Sequence, residues 1–136
     1  MRRLLVLLAL LAANPCHADL AVVVGKGSPI DKLDQREVAN IFLAKTTQLA
    51  NGNRVRPVEL SDDGYKTLFY REISGKTLAQ INSYWTTLIF TGKGRPPKSV
   101  DETGRLIELL NNDPHAIGYL PLSQITESVK VLHIFR

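Results

Sequence analysis

The feature that most constrains the fold is an alternation of β-type runs with capped, helix-type segments. The run LAVVV at residues 20–24 is β-branched and ends in a glycine-rich loop, so it predicts a buried strand. Asp34 precedes Glu37 by three residues, which is the spacing of a helix capping box. Further strands are predicted at residues 55–60, 116–120 and 129–135. Strands that alternate with helices predict an α/β fold, a sheet covered by helices.

Two consecutive helices are predicted directly after the second of these strands. Asp62 or Asp63 is a suitable N-cap for the first, which Ser74 and Gly75 end. Thr77 begins the second with another capping box. One face of that helix carries the apolar residues Leu78, Ile81, Trp85, Leu88 and Ile89.

A fourth helix is predicted before the strand at residues 116–120. Ser99 and Glu102 have the spacing of a start signal, and residues 111–114 contain the asparagines and proline that stop helices. One helical turn is expected at residues 122–125. The segments together predict one compact domain rather than two.

Residues 1–18 have the layout of a secretory signal peptide, with a basic head, an apolar run and a small residue at the cleavage position, Ala18. The folded domain is therefore expected at residues 19–136. Asn14 and Pro15 do not fit a lipoprotein site before Cys16, and this lone cysteine would leave with the signal. We therefore expect a periplasmic protein without disulfides.

The charge balance argues against a nucleic-acid partner. The formal charge of +4 includes Arg2 and Arg3, so residues 19–136 carry only +2. No long run of Lys or Arg remains, as a nucleic-acid-binding surface would require. Residues 19–136 also offer few candidates for catalysis. Only His115 and His133 remain as histidines, and no nucleophile–base, metal-ligand or nucleotide motif occurs. We expect no enzyme activity, no metal and no cofactor.

The stretch ELSDDGYKTLFY, residues 59–70, predicts a strand that leads through a polar turn into a helix. The first N–H groups of a helix have no internal partner and favour anions. Candidate ligands in this turn are Ser61, Asp63, Gly64, Tyr65 and Lys66. Two interpretations remain open: the turn holds an oxyanion on its N–H groups, or Asp63 occupies that site with its own carboxylate.

A second candidate is TGKGRPP, residues 91–97, in which Lys93 and Arg95 lie between glycines and a pair of prolines. Such a loop could close over an anion, or it could be a solvated connector between two helices. The loop at residues 25–28, with Ser28, is a third candidate for the same ligand.

Three stretches carry a resemblance: EVANIFLAKTTQLANGNRVRPVEL, FYREISGKTLAQINSYWTTLIFTGKGRPP and NNDPHAIGYLPLS. They resemble short periplasmic proteins related to the phosphate-binding component of ABC transporters. The resemblance implies a single lobe like that of type 2 periplasmic binding proteins, with a mixed sheet of about four or five strands covered by helices.

The resemblance also implies a ligand, inorganic phosphate or a similar oxyanion, and a partner, an ABC transporter permease or another envelope protein. A homodimer would bring two lobes together. In full-length relatives an arginine ends the strand and Ser-Gly-Thr begins the helix, whereas Glu59 and Asp63-Gly64-Tyr65 stand here. These changes favour an alternative: a non-transporting interaction or sensory module that kept the fold and lost the ligand.

Overall fold

The computed structural model describes residues 19–135. The predicted signal peptide at residues 1–18 lies outside the described residues. Within them, no helix is long and apolar enough to cross a membrane.

Residues 19–135 form five strands and four α-helices. The strands are β1 (Leu20–Gly25), β2 (Arg56–Leu60), β3 (Lys98–Val100), β4 (Ala116–Pro121) and β5 (Val129–Phe135). The helices are α1 (Gln35–Phe42), α2 (Asp63–Ser74), α3 (Leu78–Phe90) and α4 (Thr103–Asn112). A 3-10 turn at Leu122–Gln124 confirms the helical turn predicted between β4 and β5.

The strands form one mixed sheet in the order β3-β2-β4-β1-β5. The strand β1 is antiparallel to both of its neighbours, β4 and β5, whereas β2 is parallel to β3 and β4. The predicted α/β fold with a mixed sheet of four or five strands is confirmed.

Helices cover both faces of the sheet. The stacked rings of Tyr119 and Phe69 have centroids 4.0 Å apart, and the Phe42 ring lies 4.6 Å from that of Phe69, so α1 and α2 cover the Tyr119 face. Gly118 lies against Leu106 of α4. Since successive residues of a strand point to opposite faces, α4 covers the other side.

Most of the predicted helix starts are confirmed. The capping boxes at Asp34 and Thr77 are both formed, and Asp62 is the N-cap of α2. The start signal of α4 was wrong in one respect. Ser99 lies in β3, a short strand missing from the sequence prediction, and Glu102 is an N-cap whose side chain makes no capping hydrogen bond.

The predicted apolar face of α3 is only partly correct. Ile81 and Trp85 are buried in the core, as expected. Ile89, by contrast, is 58% exposed, and its neighbour Phe90 is 92% exposed. The C-terminal end of α3 therefore extends beyond the core it helps to form.

Candidate functional site

The predicted anion-binding turn lies between β2 and α2. The N–H group of Ser61 donates to the carbonyl oxygen of Val100, continuing the pairing between β2 and β3. The Ser61 hydroxyl donates to Oδ1 of Asp101 at 2.7 Å. The hydroxyl hydrogen that would serve a bound anion is therefore directed to a carboxylate of the protein.

The start of α2 leaves two backbone donors free. Asp62 accepts the N–H of Tyr65 on Oδ1 and the N–H of Lys66 on its carbonyl oxygen, each at 3.0 Å. Within residues 19–135, the N–H groups of Asp63 and Gly64 donate to no protein acceptor. Asp63 is the first residue of the helix and is exposed, so its interpretation as the N-cap is wrong.

A buried carboxylate lies directly beneath this turn. Glu59 is 5% exposed and accepts hydrogen bonds from the Tyr70 hydroxyl at 2.7 Å and the Ser99 hydroxyl at 3.0 Å. The ammonium group of Lys66 lies 3.5 Å from Oε1 of Glu59. Burial, together with the nearby Glu59 charge, raises the pKa of Tyr70, which therefore remains a neutral hydrogen-bond donor.

The Glu59 cluster, formed by Glu59, Lys66, Tyr70 and Ser99, changes the electrostatics of the site. A buried charge is tolerated when a partner of opposite sign and hydrogen bonds compensate for its lost hydration. Lys66 and two hydroxyl groups fulfil that requirement for Glu59. Lys66 is thus already paired with an internal anion, and two exposed carboxylates, Asp62 and Asp63, stand at the helix start that carries the two free N–H groups.

Ser28 lies at the opposite end of the sheet from this turn. Ile117 of β4 pairs with both Pro57 of β2 and Val24 of β1, so Val24 is level with the beginning of β2. Because β1 and β2 run in opposite directions, Ser28 lies beyond one end of the sheet and residues 61–66 beyond the other. The expectation that one ligand contacts both is corrected accordingly.

The loop with Lys93 and Arg95 packs elsewhere. The N–H of Lys93 donates to the carbonyl oxygen of Leu88, and Gly94 lies against Leu88 and Ala44, which follows α1. Both cations are exposed, and neither forms a salt bridge within residues 19–135. No hydrogen bond among these residues joins the side chain of either cation to the turn before α2.

Sequence reasoning missed Ser99 and Tyr70 as members of this site. Ser99 is 40 positions from Glu59, on a strand too short to show a β pattern. Tyr70 was visible only as one more aromatic residue of a helix. The described residues contain no group of three or more His, Cys, Asp or Glu side chains that could hold a metal ion.

Several solved structures share the architecture of residues 19–135. An ABC-type phosphate transport receptor from Vibrio cholerae has 17% identity and a TM-score of 0.56, and the match covers 85% of this chain and 46% of the receptor. A protein assigned as a phosphate ABC transporter substrate-binding protein, with bound phosphate, from Clostridium perfringens has 21% identity, a TM-score of 0.62 and coverage of 85% and 45%. PstS from Borrelia burgdorferi has 16% identity, a TM-score of 0.59 and coverage of 85% and 47%.

The chain has the fold of about one lobe of these binding proteins. It spans less than half of their length. No protein-family model and no curated protein matches the sequence. The likeness thus establishes the architecture, while the site must be argued from the residues of this chain.

Proposed function

We propose that the chain is an exported oxyanion-binding protein, with phosphate as its ligand and the start of α2 as its site. The observation that carries this proposal is the pair of free backbone N–H groups at Asp63 and Gly64, on a helix end where the dipole favours negative charge. The fold supports it, because the similar protein from Clostridium perfringens holds bound phosphate.

The affinity for phosphate should be weak. Residues 19–135 match less than half the length of the similar proteins, and this one lobe by itself covers only one side of a ligand at the start of α2. Asp63 is exposed, and a carboxylate about 4 Å from a phosphate charge in water costs about 1 kcal/mol. Lys93 and Arg95 lower this cost only through solvent, because both are exposed.

The first test is thermal unfolding of residues 19–136 with added phosphate, and with sulfate at matched ionic strength as the control. Phosphate at about 100 times its dissociation constant stabilises the folded state by about 2.7 kcal/mol if it binds that state alone. For a domain of this size the melting temperature then rises on the order of 10 °C. No shift with either anion up to millimolar concentration contradicts the proposal.

Two replacements at position 63 separate the backbone donor from the carboxylate. Asp63→Ala removes the charge and keeps the N–H, so phosphate should bind about fivefold more tightly. Asp63→Pro removes both, and Asp62, with φ −58° and ψ 120°, already has the backbone that a following proline requires.

The proline variant should therefore fold and bind phosphate at least about tenfold more weakly than Asp63→Ala, because hydrogen bonds to charged groups contribute about 1.5–3 kcal/mol. Equal affinity of the two variants would place the ligand away from this N–H group. Isothermal titration with phosphate measures both.

Lys93 and Arg95 should contribute to phosphate binding through their charge alone. Replacing Lys93 and Arg95 together with Ala should lower phosphate affinity by less than about tenfold, since exposed charges act across water. An unchanged dissociation constant removes the loop from the binding site. In this proposal the protein is periplasmic, has no enzymatic step and delivers its ligand to an ABC transporter permease or another envelope protein.

A second candidate function is a non-transporting interaction module, and the Glu59 cluster favours it. Its two hydroxyl donors and one ammonium group serve a carboxylate of the protein instead of an external anion. A chain that satisfies its own donors in this way keeps the fold without needing the ligand. Absence of any phosphate effect in the first test would favour this second function.

A further inference from the structure

The acidic residues of the chain are distributed unevenly. Residues 73–100 contain no Asp or Glu but include four cations, Lys76, Lys93, Arg95 and Lys98. None of these four forms a salt bridge with any residue from 19 to 135. The segment comprises the end of α2, α3, the loop with Lys93 and Arg95, and β3, so α3 and the loop that follows it carry no negative charge of their own.

The exposed face of α3 is also unusual. Its exposed residues are all uncharged: Ala79, Gln80, Asn82, Ser83, Thr86, Thr87, Ile89 and Phe90. Each of the other three helices exposes charged side chains, such as Arg36 on α1, Arg71 on α2 and Arg105 on α4. Depletion of charge combined with an exposed aromatic residue is typical of the centre of a protein–protein interface.

An apolar protrusion and a groove lie side by side at the end of this face. Phe90 is 92% exposed, and Ile89 beside it is 58% exposed. An open groove of ≈ 440 Å³ adjoins them and is lined by Ile89, Gly92, Gly94, Arg95 and Pro96. An aromatic anchor next to a groove with a cation in its wall can both insert into a partner and receive a side chain from it.

We propose that this surface, the exposed face of α3 with residues 89–95, docks a different protein whose contact segment is acidic and contains an apolar pocket for Phe90. The positive charge around the groove requires an anionic rim on the partner, because like charges across an interface disfavour binding. This proposal gives the second candidate function a surface and a partner chemistry. Its test is independent of the phosphate titration.

The same charges argue against the two other occupants. A two-fold dimer through this face would pair two copies of a segment, residues 73–100, whose charged side chains are all positive, and like-charge repulsion opposes such pairing. A protein that binds a lipid surface does so through a convex apolar patch. In this protein a groove adjoins Phe90, and the rest of the exposed face of α3 is polar. A different protein with an acidic contact segment can fill the groove and also neutralise the positive charge beside it.

The test is photocrosslinking in the cells that produce the protein. A photoreactive phenylalanine analogue replaces Phe90 in the full chain, and the same analogue at Arg36, which is exposed on α1, is the matched control. We expect one adduct with another protein from position 90 and none from position 36. Mass spectrometry of the crosslinked peptide should show Asp or Glu within a few residues of the attachment site.

Charge reversal gives the second readout. Lys93→Glu with Arg95→Glu should reduce the yield of the adduct at least about tenfold, while Arg71→Glu, on α2, should leave it unchanged. Circular dichroism checks that both variants remain folded. The proposal is overturned if position 90 gives no adduct, or if its adduct is with lipid or with a second copy of the chain. It is also overturned if the adduct forms with undiminished yield in the Lys93→Glu, Arg95→Glu variant.

Discussion

Glu59 is a carboxylate in the buried part of β2, and its hydrogen-bond donors come from α2 and β3. It therefore joins three elements at the point where the candidate site begins. A buried charge of this kind stabilises a fold only while every partner is present, because removing one leaves the others desolvated and unsatisfied.

Replacing this carboxylate tests that balance. Glu59→Gln keeps the shape and removes the charge, so the free energy of unfolding should fall by about 2 kcal/mol, the value of a charged hydrogen bond. Urea denaturation measures the change. Tyr70→Phe should lower stability by about 1 kcal/mol, and the double variant should lose less than the sum, since both changes break the same bond.

The control for this experiment is Glu127→Gln, at an exposed position. That variant should unfold within about 0.5 kcal/mol of the wild type. If Glu59→Gln matched it, the Glu59 cluster would contribute nothing to the stability of the fold.

Gly25 is a second residue with a specific structural role, because the packing around it leaves no room for a side chain. It ends β1, and a Cβ atom built there would lie 2.2 Å from the carbonyl oxygen of Leu110 and 3.2 Å from the Cα of Asn111. The end of α4 can approach the sheet this closely only because no side chain intervenes.

Gly25→Ala should therefore lower the free energy of unfolding by about 3 kcal/mol or more, because the clash is with backbone that cannot rotate away. The matched control is Gly27→Ala, where a Cβ would meet nothing within 4 Å. Thermal unfolding compares the two. Similar melting temperatures for both variants would show that α4 can move away from β1 at little cost.

At the scale of the elements, the helices differ in whether an N-cap side chain accepts a hydrogen bond from the free N–H groups of the first turn. In α3 the side chain of Thr77 accepts from the N–H of Gln80 at 3.2 Å, and the Gln80 side chain accepts from the N–H of Thr77 at 2.9 Å. In α4 the N-cap is Glu102, whose side chain makes no such bond.

Removing these caps should have unequal effects. Thr77→Ala should lower the free energy of unfolding by about 1 kcal/mol, the usual value for an N-cap. Glu102→Ala should change it by less than about 0.5 kcal/mol, since no capping bond is lost. Denaturant titration of both variants under one condition gives the comparison, and a larger loss from Glu102→Ala would contradict it.

At the scale of the whole molecule, one ion pair ties the beginning of β2 to the end of α4. The Nε and Nη2 groups of Arg56 donate to the two carboxylate oxygens of Asp113, each at 2.8 Å. This hydrogen bonding lowers the pKa of Asp113, and the same contact raises the pKa of Arg56. Segments far apart in the sequence thus meet at the end of the sheet where β2 and β4 begin.

The lowered pKa of Asp113 gives a pH dependence of known sign. Its contribution to stability is fully present above the pKa of the unfolded chain, about 4, and is lost as the pH falls through the lower native pKa. Wild type should therefore exceed Arg56→Gln in urea midpoint at pH 7, and the difference should shrink below about pH 4. A difference that stayed constant down to pH 2 would mean that the pair does not perturb Asp113.

The sequence by itself determined the elements and the class of fold. Capping boxes at Asp34 and Thr77 and β-branched runs in β1 and β5 are local signals, because they depend on residues a few positions apart. Together with the N-cap Asp62 and the runs at residues 55–60 and 116–120, they located three of the four helix starts and four of the five strands within residues 19–135. The strand β3 has three residues, which is too short for a periodic signal.

Only the tertiary structure decided which polar groups meet. Glu59 and Ser99 are 40 positions apart and touch because β2 and β3 are neighbours, while Ser28 is separated from the turn because β1 runs antiparallel to β4 and β2 runs parallel to it. Strand order and direction follow from the packing of the whole chain and leave no local pattern. For that reason the sequence indicated an anion-binding turn, and the fold showed which of its donors the protein already uses.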